Sequence, residues 1–127
     1  MSAGYSGTPL PKKLGIKDDS RVVILGAPDG VPIEGEADLG DGADVVLFFT
    51  AERAALQARL PELRAAVFPA GGLWICWPKK ASKVPTDITE DVVRDLGIAA
   101  KMVDNKVCAV DDVWSGLRLV IRIKDRT

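Results

Sequence analysis

The segment Gly72-Leu73-Trp74-Ile75-Cys76-Trp77, followed by Pro78-Lys79-Lys80-Ala81-Ser82-Lys83, constrains the fold more than any other stretch of this chain. An unbroken apolar run between a glycine pair and a proline reads as a strand buried on both faces, and such a strand needs cover above and below. Parallel sheets flanked by helices supply that cover. Ligands of such sheets sit outside the carboxyl ends of the strands, and here that position carries Lys79, Lys80, Ser82 and Lys83.

Two more apolar runs precede it. Arg21-Val22-Val23-Ile24-Leu25 reads as a first buried strand closed by the turn Gly26-Ala27-Pro28-Asp29-Gly30, and Asp44 to Phe49 reads as a second. Between them, Val31 to Ala43 is acidic and glycine-rich, which predicts an irregular connection with a short edge strand around Val31–Ile33. Thr50 is placed to cap a helix in which Leu56, Leu60, Leu63 and Val67 recur at helical spacing, with Pro61 kinking or restarting it and Arg53, Arg59 and Arg64 on its wet side.

Ahead of the first strand, Thr8 as N-cap, Pro9 and the stop at Gly15 predict a helix of one or two turns. Residues 1–7 are expected to be flexible unless Tyr5 docks on the body. After the lysine loop, Asp87 and Glu90 have capping-box spacing, Val92, Val93 and Leu96 form a buried stripe, and Gly97 is the expected stop. Met102 to Val110 reads as a strand bent at Asp104-Asn105. Leu117, Leu119, Ile121 and Ile123 alternate with Arg118 and Arg122, the pattern of a strand with one wet face, so the chain is expected to end in an antiparallel hairpin.

The 127 residues fit a single α/β domain spanning 1–127, able to bury roughly two-thirds of the surface of the unfolded chain. A net charge of −1 gives no global attraction to nucleic acid or to a membrane, so any basic function is local. No run approaches the ~20 apolar residues that cross a bilayer, and the start lacks a signal-peptide pattern, which points to the cytoplasm. Cys76 and Cys108, both on expected strands, suit a reducing compartment and are too few to hold a metal. The chain has no histidine. Ser-His-Asp and Cys-His activation and imidazole ligation are therefore excluded.

The element order gives three parallel strands with right-handed crossovers plus the terminal hairpin, a reduced Rossmann-like three-layer sandwich. It resembles the second half of the class I methyltransferase fold, whose final strand inserts antiparallel beside its neighbours. That resemblance implies the sheet order first, second, third, fifth, fourth. In sequence, Gly4-Tyr5-Ser6-Gly7-Thr8-Pro9-Leu10, Trp77-Pro78-Lys79-Lys80-Ala81-Ser82, Val103-Asp104-Asn105-Lys106-Val107-Cys108-Ala109-Val110 and Trp114-Ser115-Gly116-Leu117 resemble a small bacterial domain family. It is found mainly in actinobacteria and carries a domain-of-unknown-function label, so the resemblance implies no activity.

Several clusters are candidates for function. The turn at Gly26–Gly30 stands where dinucleotide and S-adenosylmethionine binders place a glycine-rich loop, but Pro28 has no N–H, Asp29 repels phosphate, and no helix N-terminus follows. The connection to residue 43 is also too short for the unit that carries a ribose-reading acid. No cofactor is expected, and methyl transfer by the usual route is disfavoured. Lys79, Lys80 and Ser82 can hold an anion by charge and backbone N–H groups, against the plainer reading of a solvated loop. Asn105, Lys106 and Cys108 form a second cluster, with Lys106 and Cys108 on one face and Asn105 a bend former or ligand contact. Cys108 beside a lysine is a candidate thiolate, though free cysteine is more often a small buried hydrophobe. Trp114 is read as a cover for the core or an apolar wall over a ligand.

These readings favour a non-catalytic binding or interaction module whose candidate ligand residues are Lys79, Lys80, Ser82, Asn105, Lys106 and Trp114. The implied partner is an anionic small molecule or an acidic protein segment. The alternatives are a small enzyme acting on a phosphorylated or carboxylated metabolite, with Asp104 or Asp87 as acid or base, and a structural homodimer joined through a sheet edge or hairpin.

Overall fold

In the computed structural model, which describes residues 9–127, the three apolar runs lie side by side as parallel strands β1 (Val22–Leu25), β2 (Val45–Phe49) and β3 (Gly72–Pro78). The hairpin strands β4 (Met102–Ala109) and β5 (Trp114–Ile121) complete the sheet in the order β1-β2-β3-β5-β4, with β5 antiparallel to β3 and β4. This is the α/β, Rossmann-like sheet ending in an antiparallel hairpin that the element order implies. Expectations for residues 1–7 and for the Thr8 cap fall outside the described residues.

Helices α2 (Arg53–Val67) and α3 (Glu90–Ala99) cover one face of the sheet. There Leu56, Leu60, Leu63 and Val67 meet Val23, Val46, Leu73, Ile75, Leu117, Leu119 and Ile121 in the larger apolar cluster. The other face has thinner cover: Leu10 and Leu14 of the short α1 region (helix Leu10–Lys13), with Val31 and Ile33, over Trp74, Cys76, Leu47 and Phe49. Trp74 is fully buried, and its Nε1 donates to the Leu14 carbonyl at 3.0 Å. One hydrogen bond thus joins the thin layer to the centre of the sheet.

Pro61 does not interrupt α2, which runs unbroken to Val67. Gly97 is no stop either: it lies inside α3, where a Cβ would stand 2.8 Å from Leu119 Cδ2, so glycine lets the helix settle on β5. The chain turns instead at Lys101, whose φ is 64°. Thr89, not the Asp87/Glu90 pair, caps α3 through its side chain, accepting from Val92 N. Thr50 accepts from Glu52 N and does not cap α2. The expected edge strand at Val31–Ile33 is absent; a single parallel bridge forms later, where Glu36 exchanges backbone hydrogen bonds with Val22 and Ile24. Ile123, expected in the last strand, falls in a 3-10 turn and is 80% exposed.

Arg21 holds the acidic connection against β1. Its guanidinium donates to the carbonyls of Leu39, Gly42 and Asp38 and pairs with Glu36. A Cβ on Gly40 would come within 2.7 Å of that guanidinium, and with φ 57° the position favours glycine twice over.

Candidate functional site

The carboxyl ends of β1, β2 and β3 face the same way as the end of β4 and the start of β5, so the turns after them form one rim. Lys79 N donates to Val113 O at 2.7 Å, which ties the lysine turn to the β4–β5 loop. That loop is set by Asp111, whose Oδ1 accepts from Val113 N and Trp114 N, both at 2.8 Å. Trp114 then meets Phe49 edge-on, ring centroids 5.3 Å apart, as cover for the thin-layer core.

Lys80, Ala81 and Ser82 form one 3-10 turn that ends at Lys83 in the left-handed region, φ 62°. The Ser82 hydroxyl donates to Lys79 O at 2.6 Å and accepts from Val84 N at 3.2 Å. Its role in the turn is thus internal. Lys79, Lys80 and Lys83 have no ion pair or side-chain hydrogen bond among the described residues, and Lys80 and Lys83 are exposed.

The structure brings Lys79, Lys80, Ser82 and Trp114 together on this rim and leaves Asn105 and Lys106 away from it. Asn105 is the extra residue of a bulge between Asp104, opposite Leu119, and Lys106, opposite Arg118. The bend expected at Asp104-Asn105 is this bulge. Lys106 reaches over the thin-layer face to donate from Nζ to Lys13 O at 2.6 Å. It thereby fastens α1 to the edge strand.

Lys106 and Cys108 do share a face, with Cys108 and Cys76 both opposite Gly116 on its two neighbouring strands. Cys76 is buried and Cys108 half-buried, not fully buried as expected. Burial pushes the Cys76 thiol well above the usual range. Burial also raises Cys108, outweighing the opposite pull of Lys106 and Lys13. A thiolate nucleophile at neutral pH has no support here.

Asp87 and Asp104, the carboxylates considered as acid or base, both have structural partners. Asp87 Oδ1 accepts from Arg53 N at 2.7 Å, and Asp104 Oδ2 accepts from Arg94 Nε at 3.2 Å. Arg94 is in turn held by Glu90 and Asp91, so its cluster locks α3 to β4.

At the turn after β1, a Cβ on Gly26 would stand 2.6 Å from Phe49 O, so the backbone of β1 closes directly on that of β2. No helix lies between β1 and β2 among the described residues. The order β1-β2-β3 never reverses, so the parallel strands enclose no switch-point crevice. Two grooves lie elsewhere. One of about 590 Å³ opens at the amino ends of β2 and β3 and another of about 500 Å³ between the acidic connection and α2. Sequence reasoning missed the first because Arg118, which lines it, reads as the wet face of a strand.

Solved structures share this fold. A SAM-dependent methyltransferase from Aquifex aeolicus matches with TM-score 0.66 at 16% identity, over 89% of this chain and 88% of that one. Magnesium protoporphyrin IX methyltransferase from Synechocystis PCC 6803, solved with bound SAH, matches with TM-score 0.52 at 13% identity, over 67% of this chain and 48% of its own. No protein-family model matches the chain, and no curated protein matches it in sequence. Among the described residues no helix is long and apolar enough to cross a membrane. The chain has a methyltransferase-like Rossmann fold.

Proposed function

We propose that this chain is a non-catalytic interaction module on a reduced methyltransferase-like scaffold, binding an acidic protein segment along the rim of Lys79, Lys80 and Ser82. The observation that carries the reading is the set of lysines unpaired among the described residues, Lys79, Lys80 and Lys83, on a turn that is itself anchored by Lys79 N to Val113 O and by the Ser82 hydroxyl. Cations clustered on an anchored turn without carboxylate partners favour an incoming carboxylate. Lys80 and Lys83 are exposed, which suits an extended segment better than an enclosed metabolite.

S-adenosylmethionine does not fit the turn where binders of this fold class hold it. Pro28 has no N–H to offer, no helix N-terminus follows among the described residues, and Gly26 lies against Phe49 O. The competing reading, methyl transfer, is favoured by one observation: the Aquifex aeolicus structure, described as a SAM-dependent methyltransferase, is covered over 88% of its length.

Titration of a fluorescein-labelled hexaglutamate peptide, followed by anisotropy, separates the two. The expected result is saturable binding that weakens with salt and falls by about tenfold or more in the Lys79→Ala, Lys80→Ala double variant. Equal binding by the double variant would overturn the reading. So would calorimetric binding of S-adenosylmethionine accompanied by methyl transfer to any acceptor.

A further inference from the structure

Arg118 stands on the thin-layer face of β5, paired with Trp74 on one side and Lys106 on the other. Its guanidinium lies against Gly72, two residues before Trp74 and on the same face of β3: a Cβ there would run into Arg118 Nε and stand 2.8 Å from Cζ. Gly72 is therefore a seat for the guanidinium. Any side chain at that position would push it out.

Arg118 also lines the groove of about 590 Å³ at the amino ends of β2 and β3, together with Lys17, Asp19, Asp44 and Gly71. Arg118 is half-buried yet has no hydrogen bond or ion pair among the described residues. Burial and the nearby Arg126 both lower its pKa. A partly desolvated cation beside a second cation is an unfavourable arrangement unless an anion joins it. Asp44 is already engaged, its Oδ2 accepting from Arg21 N at 2.7 Å, and Asp19 is exposed.

We infer that this groove is a binding site for a small carboxylate, held by the two parallel N–H donors of the Arg118 guanidinium seated on Gly72. A planar fork matches a carboxylate in bidentate geometry. With Asp44 held by Arg21 N and Asp19 exposed, the repulsion these two carboxylates exert is smaller for a monoanionic carboxylate than for a phosphate dianion. The volume suits a metabolite-sized molecule. The site is separate from the lysine rim, at the opposite end of β3 and about 20 Å away at strand rise.

The test is a titration of the ¹⁵N-labelled protein with propionate, succinate, benzoate and inorganic phosphate, read at the Arg118 Nε–H resonance and at the amides of Ala70 and Gly71. The expected result is a saturable shift with at least one carboxylate, weakened by about tenfold or more in Arg118→Gln and in Gly72→Ala. The second variant keeps the charge and removes only the seat, so it decides the matter if the first fails to fold. No saturable shift with any of the three carboxylates at about 10 mM overturns the site, as does a shift that survives both substitutions. A stronger response to phosphate than to every carboxylate overturns the assigned ligand class.

Discussion

Asp87 caps a helix to which it does not belong: its Oδ1 accepts a hydrogen bond from Arg53 N, the first residue of α2, at 2.7 Å. The neighbouring Thr86 hydroxyl donates to Ala51 O at 2.7 Å and accepts from Ile88 N at 3.0 Å. Two consecutive residues, more than thirty positions away in sequence, thus close the N-terminus of α2 and hold the segment behind the lysine turn. Removing one orphan-donor partner from a helix start costs about 1 kcal/mol. Asp87→Ala is expected to lower stability by that amount in urea titrations, and Asp87→Asn, which keeps an acceptor oxygen, by a few tenths. Equal losses in the two variants would show that the cap does not act through this bond.

The glycine pair before β3 is expected to split in its response to alanine. At Gly71 a Cβ would stand 2.7 Å from Ala43 O and 3.0 Å from Asp44 O and Val67 O, all backbone atoms that can give way only by moving the strand. At Gly72 the obstacle is the tip of Arg118, a flexible side chain. Gly71→Ala should cost about 2–3 kcal/mol and Gly72→Ala under about 1. Thermal denaturation of the two single variants checks the order.

Trp74→Phe should be among the more damaging conservative core changes. It removes the donor to Leu14 O, leaves that carbonyl unpartnered on the buried face, and shrinks a side chain with no exposed surface. A loss of about 2–3 kcal/mol is expected. Because the bond ties α1 to the sheet, hydrogen exchange at Leu14 and Gly15 should quicken more than exchange in α3. Uniform quickening across both elements would count against a local tether.

Both thiols should be slow to alkylate at neutral pH, Cys108 reacting before the fully buried Cys76. The sign of the linked stability follows from the raised values. Above the free-thiol pKa, about 8.5, the unfolded chain loses protons that the folded chain keeps, so stability falls as pH rises through that value and beyond. Below it the contribution is fully present. Mass-spectrometric labelling with iodoacetamide from pH 7 to about 10, beside urea midpoints over the same range, tests both. Rapid native labelling of Cys76 at neutral pH would contradict its placement.

The buried strands were legible because each is a continuous apolar run whose burial on both faces needs no knowledge of its neighbours; Leu73, Ile75 and Trp77 fall on the helix-covered face and Trp74 and Cys76 on the other, as alternation requires. The α2 stripe of Leu56, Leu60, Leu63 and Val67 was legible for the same reason, at period 3.6. Pattern of this kind is a local property, and so is the bend at Asn105. Capping was misassigned because Thr50, Asp87 and Glu90 are all chemically able to cap, and only the approach of the chain after β3 to the start of α2 selects Arg53 N as the partner of Asp87.

Periodicity and composition alone determined the buried strands, their order along the chain, and the exclusion of histidine chemistry, while the sheet order followed from the resemblance to the methyltransferase fold. Tertiary structure decided what the polar residues do. Gly97 reads as a helix stop until Leu119 is seen beneath it, and Lys106 reads as a ligand contact until its Nζ is seen on Lys13 O. Arg118 reads as a wet strand position until Gly72 and the turn after α2 are seen around it. The reason is physical: an apolar side chain gains free energy from any dry surroundings, so its pattern suffices, whereas a polar one depends on a specific partner at a specific distance. In this fold those partners are brought together by segments far apart in the chain.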